Sequence, residues 1–170
     1  MTKRLLPSNA EARAEDAFER LGTRSPHCSV PGCGESDWRA LTGAYLNIKC
    51  YEHRCAQQGR STVERHHPAG RKNNPKMEVT MAANDHRVMD DYKVDWPEET
   101  RRNPEGSPAL RAAANLRSAR DWLVMIAERL LAPVIAWLEA LEKCMRKRHG
   151  PRWWEALGLP NMLTGRGAEL

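Results

Sequence analysis

The feature that most constrains this fold is a group of four cysteines and one histidine in a short segment. Cys28 and Cys33 form one pair. Cys50 and Cys55, with His53 between them, form a second pair about 17 residues further along. Paired ligands at this separation are typical of structural zinc sites. The surrounding residues are rich in Gly, Pro and charge, so a metal ion rather than a large apolar core is expected to hold the region together.

Four ligands close a tetrahedral zinc site, and five candidates are present. Cys28, Cys33 and Cys50 are predicted ligands, and the fourth is either His53 or Cys55. The two-residue gap between Cys50 and His53 suits a ligand pair on the first turn of a helix, which favours His53. A closed site has no open position for a substrate, so the predicted role of this zinc is structural.

Composition favours a cytoplasmic protein with an anionic partner. The 170 residues include 27 Lys and Arg against 22 Asp and Glu, a net charge of +5, and nucleic acid is the commonest partner of a basic chain. No signal peptide is predicted, because the first 22 residues contain no apolar core of sufficient length. No membrane span is predicted, because the strongest apolar run, residues 122–141, is interrupted by Glu128, Arg129 and Glu139. In a reducing compartment, five cysteines argue against a disulfide framework.

Changes in composition divide the chain into four predicted segments. The first, residues 1–25, holds a helix that starts at a Ser8–Glu11 capping box and stops at Gly22. The others are a segment rich in Gly, Pro, Cys and His, a polar linker and a helical extension, at residues 26–94, 95–106 and 107–170.

The helical extension carries apolar side chains at helical spacing from Ser107 to His149, with a kink or break expected at Pro133. Such a stripe needs a cover. A fold-back at Pro133 onto the first helix would supply one, and homodimerisation through these helices is the alternative. Cys144, in the same region, is interpreted as a small core residue.

A second group of polar residues lies between positions 61 and 91. Two β-prone stretches flank a turn rich in Gly, Asn and Pro, and Asn84 then offers a cap for a helix. His86 and Asp90, four residues apart, would lie on one face of that helix. His66 and His67 are adjacent, so in an extended backbone they point to opposite sides. One of them can therefore join His86 and Asp90 around a divalent cation while the other faces a substrate.

The stretch ERHHPAGRKNNPKMEVTMAANDHRVMDD resembles the motif of the HNH, or His-Me finger, endonucleases. The resemblance covers about residues 26–92. It implies an α+β fold with a small zinc-stapled ββα-metal (treble-clef-like) unit, flanked by an N-terminal helix and a long C-terminal helical region. Many members of that family carry a structural zinc knuckle beside the catalytic unit, in agreement with the cysteine group.

The resemblance also implies roles for individual residues. His66, His86 and Asp90 would bind the catalytic cation, which could be Mg²⁺, Mn²⁺ or Zn²⁺. His67 would be the general base that takes a proton from water. The remaining assignments are a brace for this base, Asn73 or Asn74, and a phosphate contact, Arg71.

The implied function is the hydrolysis of phosphodiester bonds in DNA, which is expected to be double-stranded. A neutral histidine can activate water, and a bound cation can polarise the phosphate and stabilise the departing oxygen. The alternative is a zinc-dependent DNA-binding protein that keeps the HNH fold without cleaving. A third reading is a helical interaction module that carries a zinc site.

Overall fold

The computed structural model describes residues 9–158, which form seven α-helices and two small antiparallel sheets. The chain divides into two compact units, Met1–Met125 and Ile126–Leu170. The mixture of helices with small sheets confirms the α+β expectation in its coarse form.

Most of the elements belong to the first unit. Its helices are α1 (Asn9–Leu21), α2 (Tyr51–Gln57), α3 (Ala83–Val94), α4 (Glu98–Arg102) and α5 (Pro108–Ile126), the last of which ends at the boundary. Its strands are β1 (Leu41–Thr42), β2 (Lys49–Cys50), β3 (Val63–His66) and β4 (Val79–Ala82), and short 3-10 helices cover Trp38–Ala40 and Tyr45–Asn47. The second unit contains a π-helical segment at Ala127–Leu131, α6 (Ala132–His149) and α7 (Trp153–Ala156).

The first helix ends at Gly22, as the sequence predicts. Gly22 has a φ of +74°, and its N–H bonds the carbonyl of Phe18 at 2.8 Å. A Cβ at this position would lie 2.7 Å from Cε1 of Tyr45, so a side chain would be both strained and too close to the ring. Ser8, the first residue of the predicted Ser8–Glu11 capping box, lies outside the described residues.

The core of the first unit consists of three small clusters. The first surrounds the cysteines and comprises Leu21, Cys28, Leu41, Ile48 and Cys50. The second packs under α3 and comprises Ala40, Met81, Val88, Met89 and Met125. The third comprises Ala69, Trp96 and Ala114. None is large, so each depends on polar contacts or metal ligands to supplement its buried apolar surface.

Strands β3 and β4 form an antiparallel hairpin with Val63 opposite Ala82 and His66 opposite Val79. The two predicted β-prone stretches are therefore confirmed. Side chains of β3 alternate in burial, with Val63 and Arg65 exposed and His66 buried, so His66 points towards α3. Helix α3 follows β4 directly and packs on both strands.

Asn84 does not cap α3, contrary to the prediction. It lies inside the first turn of that helix, and its Oδ1 accepts the backbone N–H of Glu52, in α2, at 3.0 Å. Asn84 is buried. It therefore satisfies one of the free amides at the start of α2 and joins the two helices.

The segment predicted as a polar linker, residues 95–106, is instead packed into the first unit. It contains α4 and the buried Trp96, whose ring packs with Ala69 and Ala114. The indole Nε1 also donates to Oδ2 of the buried Asp121 at 2.8 Å. One amphipathic aromatic side chain can anchor a segment whose remaining residues are polar. The first unit thus continues past the predicted boundary.

The second unit is helical over most of its described residues. The backbone stays helical through Pro133, and the π-helical segment just before it accommodates the missing amide hydrogen. Cys144 is exposed, so its interpretation as a core residue is wrong. The π-helical segment and α6 leave several apolar side chains exposed: Leu131, Val134, Ile135, Trp137 and Leu138. Homodimerisation through these helices stays a prediction.

Within residues 9–158, no helix is both long enough and apolar enough to cross a bilayer. The longest described helix, α5, has 19 residues and includes charged side chains such as Arg111 and Asp121.

A partly buried ion pair joins α1 to α3. Arg13 donates to both carboxylate oxygens of Asp91, at 2.9 and 3.0 Å, and to Asp95 at 2.8 Å. The hydrogen bond from Arg13, which outweighs the opposing effect of burial, lowers the pKa of Asp95. Bidentate pairing of this kind fixes orientation as well as distance. The contact therefore sets how α1 lies against the helix that carries His86 and Asp90.

We expect Arg13→Gln to lower the free energy of unfolding by about 1 kcal/mol near neutral pH, since the pair is only partly buried. The lowered pKa of Asp95 means that this stability is present above the ordinary carboxyl pKa and is lost as pH falls through the folded-state value. Urea unfolding at about pH 7 and about pH 3 measures the loss. Arg24→Gln, which removes an exposed pair with Glu15, is the control. A difference between Arg13→Gln and wild type that stays constant with pH would contradict the interpretation.

Candidate metal centres

The cysteine group comes together as a four-residue cluster. The ligand atoms of Cys28, Cys33, Cys50 and His53 all lie within 4.8 Å of one another. Sγ of Cys50 is 3.0 Å from Nδ1 of His53, and Sγ of Cys33 is 3.9 Å from Sγ of Cys50. Metal–sulfur bonds of about 2.3 Å give a tetrahedron with sulfur–sulfur edges of about 3.8 Å. The cluster could therefore hold one metal ion, and its donor set fits zinc.

Local backbone structure explains why these residues meet. Cys50 ends β2 and precedes α2, so His53 follows on the first helical turn and its ring returns to the Cys50 thiol. The N–H of Cys50 points to Sγ of Cys28 at 3.3 Å. Cys55 is buried further along α2 and is not part of the cluster. The structure therefore favours His53 over Cys55 as the fourth ligand.

The protonation state of the thiols depends on the cation. Burial, helped by the neighbouring thiols of Cys28 and Cys50, raises the pKa of Cys33 to about 11. Without a cation this thiol stays protonated at neutral pH. Zinc binding must therefore release a proton here, and the affinity should fall as pH falls.

Cys50→Ser should remove tightly bound zinc and abolish cooperative unfolding of the first unit, because the metal supplements a small apolar cluster. Cys144→Ser, which replaces an exposed thiol on α6, is the matched control and should change neither property. Metal analysis of the purified chains and circular dichroism during thermal unfolding provide the measurements. Retention of about one zinc per chain by Cys50→Ser would contradict the cluster as the zinc site.

A second cluster forms where β3 meets α3. Nδ1 of His66 is 3.8 Å from Asp90, and Nε2 of His86 is 3.5 Å from the same carboxylate. The two imidazole rings meet edge to face, with 4.8 Å between their centroids. Three ligand atoms of N, N and O type thus lie within reach of one cation, and three protein ligands leave coordination positions open.

His66 is held as a neutral ring. Its side chain is 1% exposed, and burial, with added repulsion from Lys93 and His86, lowers its pKa to about 3. Nζ of Lys93 lies 3.1 Å from Nε2 of His66, while Nδ1 faces Asp90. A metal ligand must be unprotonated at the coordinating nitrogen. Nδ1 is therefore the atom of His66 that a cation shared with Asp90 would use.

Glu64 orients His86, a role that the sequence interpretation missed. Its carboxylate pairs with Nδ1 of His86 and with Nη2 of Arg87 at 3.2 Å. A carboxylate on one nitrogen of a ligating histidine holds the other nitrogen towards the metal. The alternation of β3 provided a signal, since Glu64 lies two residues before His66 and therefore on the same face of the strand.

His67 lies just beyond β3 and outside the second cluster. Its Nε2 is 3.5 Å from the carboxylate of Glu78, in the loop before β4. Its Nδ1 is buried and has no hydrogen-bond partner among residues 9–158. The backbone carbonyl of His67 accepts from Nζ of Lys93 at 2.7 Å and from the N–H of Gly70 at 2.9 Å. The two adjacent histidines thus face different surroundings, as the sequence predicts, and Lys93 contacts both of them.

Asn73, one of the two predicted braces, secures the loop rather than the His67 ring. Its buried amide donates to the carbonyls of Ala69, at 3.1 Å, and Thr100, at 2.9 Å. Its Oδ1 accepts from Nδ2 of Asn103 at 2.9 Å. Any brace on His67 would therefore act through the loop backbone.

Asn74 and Arg71 lie on the same loop and point outwards to different degrees. Asn74 is half-buried, and its amide donates to Oδ1 of Asn115, in α5, at 3.3 Å. Arg71 is exposed, which leaves it accessible to a charged partner. Neither side chain forms part of the two clusters.

Comparison of the chain with protein-family models, with curated proteins and with solved structures found no match. The geometry of the two clusters is therefore the basis for inferring a function.

Glu64→Gln should weaken divalent cation binding at the second cluster by about 10–100-fold, because the amide neither fixes the His86 tautomer nor raises its basicity. Calorimetric titration of the zinc-loaded protein with Mn²⁺ measures this affinity. Glu105→Gln, a charge-matched change in the 95–106 segment, should leave it unaltered. An unchanged dissociation constant in Glu64→Gln would show that Glu64 does not support a metal ligand.

Proposed function

We propose that this chain is a metal-dependent endonuclease of the HNH, or His-Me finger, type that hydrolyses phosphodiester bonds in DNA. The observation that carries the proposal is the grouping of His66, His86 and Asp90, whose ligand atoms lie within 4.8 Å of one another. They lie where the hairpin of β3 and β4 packs on α3. A ββα-metal unit consists of two strands and a helix around one cation. Here β3, β4 and α3 would form it.

The residues of the second cluster fit the requirements of a catalytic cation. His66 and His86 each have one nitrogen held by a protein partner and the other near Asp90. A divalent cation bound there would polarise the phosphate and stabilise the departing oxygen. The chain itself would hold the phosphate near this position and supply the base.

His67 is the proposed general base. Glu78 beside Nε2 favours the tautomer with its proton on that nitrogen, which leaves the lone pair of Nδ1 to accept a proton. As water attacks phosphorus, its proton would pass to Nδ1 while the bond to the leaving oxygen breaks. Glu78 would then stabilise the resulting imidazolium. Within the described part of the chain this buried nitrogen has no partner, which supports such a role, since buried polar atoms are normally paired.

Loop residues around the base have proposed supporting roles. Asn73 would hold the loop between β3 and β4 so that His67 keeps its position. Arg71, exposed on this loop, would contact phosphates of double-stranded DNA irrespective of sequence. The net charge of +5 supports an anionic partner, and reduced zinc-binding thiols suit the cytoplasm.

His67→Ala is expected to abolish nicking of supercoiled plasmid in Mg²⁺ or Mn²⁺, with a loss of at least about 100-fold in rate, because removal of a general base costs roughly that much. His149→Ala, which changes a histidine of the second unit, should nick like wild type. The zinc content of each variant verifies that the first cluster stays intact.

The same assay tests the alternative of a zinc-dependent DNA-binding protein without cleavage. Salt-dependent binding of duplex DNA by wild type, with no nicking in any divalent cation, would favour that alternative and exclude the nuclease. Equal nicking by wild type and His67→Ala would exclude His67 as the base.

A further inference from the structure

An open groove, whose wall includes Asp90 of the second cluster, lies along α3. It has a volume of about 420 Å³ and is lined in part by Arg20, Trp38, Arg39, Tyr51, Arg87 and Asp90. We call it the arginine groove. Its size falls within the range of small-ligand sites. Apart from Asp90, none of these side chains has a part in the proposed chemistry.

Ion pairs satisfy several of the charged side chains in the wall of the arginine groove. Arg39 is held by Asp37 through two hydrogen bonds, at 2.9 and 2.7 Å, and Asp91, also in the wall, is held by Arg13. Arg20, in contrast, is exposed, and the hydrogen bond of its side chain within residues 9–158 goes to the carbonyl of Leu41, at 3.4 Å. The groove thus presents a guanidinium that no carboxylate of the described residues pairs with.

A second guanidinium, that of Arg87, lies in the groove wall, and its side chain is 31% exposed. Nη2 of Arg87 binds Glu64, but its Nε is buried without a partner among residues 9–158. The guanidinium lies over the ring of Tyr51, 4.3 Å from its centroid. This stacking holds the planar group in place, as in many phosphate sites. Arg20 and Arg87 together can therefore receive an anionic group with two or more oxygens.

Aromatic side chains add a preference for a planar ligand. Trp38 and Tyr51 are half-buried in the groove wall, and base–aromatic stacking contributes about 1–3 kcal/mol per base. A ligand with a phosphate and a flat ring, that is, a nucleotide, matches this lining. Because Asp90 belongs both to the wall and to the second cluster, a nucleotide here would be adjacent to a phosphate at the cation.

We infer that the arginine groove binds the nucleotide next to the scissile phosphate on the same DNA strand, with its own phosphate held by Arg20 and Arg87. The inference rests on the proposed nuclease function and adds to it a substrate subsite. This subsite includes residues of α1, the Trp38–Ala40 helix and α3, and none of the loop between β3 and β4.

Thymidine 3′,5′-bisphosphate, a single nucleotide with two phosphates, is a suitable probe for the zinc-loaded full chain in Ca²⁺. Arg20→Gln should weaken its binding at least about tenfold, the cost of one charged hydrogen-bond pair. Arg24→Gln, an exposed arginine four residues away on the sequence, should bind like wild type. Amide chemical shifts should move at Thr42 and Val94, which also line the groove.

Equal affinity of Arg20→Gln and wild type, or shifts confined to the loop between β3 and β4, would overturn the inference. With duplex DNA, Arg20→Gln should also reduce, by about one unit, the slope of the logarithm of the binding constant against the logarithm of the salt concentration. A nicking enzyme in which Arg20→Gln changes neither binding nor slope would refute the subsite and leave the nuclease intact. Groove-dependent binding of the bisphosphate without any nicking would support the subsite as a nucleotide site and refute the nuclease.

Discussion

The side chain of His66, on β3, is buried against α3, and the second cluster depends on this interaction. Its ring is 1% exposed and stays neutral, so both nitrogens need partners, and Lys93 and Asp90 lie beside them. To enclose this ring, the hairpin must approach the helix closely, and the approach brings His86 edge-on to it. The contact that stabilises the packing is therefore the same contact that assembles the candidate ligands.

The two clusters are connected through α2 and α3. His53 belongs to the first turn of α2, and the start of that helix is bonded to Asn84, on the first turn of α3, two residues before His86. Zinc binding at the first cluster would fix α2, and the buried amide of Asn84 would carry this restraint to α3. A closed zinc cluster can thus contribute to the geometry of an open metal site without contacting it.

Sequence periodicity predicted the local relations within the clusters. Adjacency in an extended backbone separated His66, the last residue of β3, from His67, and the four-residue spacing placed His86 and Asp90 on one face of α3. Contacts between distant segments could not be predicted in this way. The burial of Trp96 could not be predicted from its polar segment, because that burial depends on packing against α5. Similarly, only the fold brings Arg20 close to α3. A linear pattern specifies neighbours on one element, whereas the pairing of elements follows from packing.

Asp90 is shared by the proposed cation site and the arginine groove, and this links the two kinds of binding. Without a cation its carboxylate repels a phosphate, while Arg20, which also lines the groove, attracts it. A divalent cation at the second cluster would reverse the local charge. Because coupling between two ligands is reciprocal, a nucleotide in the groove would raise cation affinity by the same factor as the cation raises nucleotide affinity. Under the proposed function, substrate would thus help to complete the metal site at which it would be cleaved.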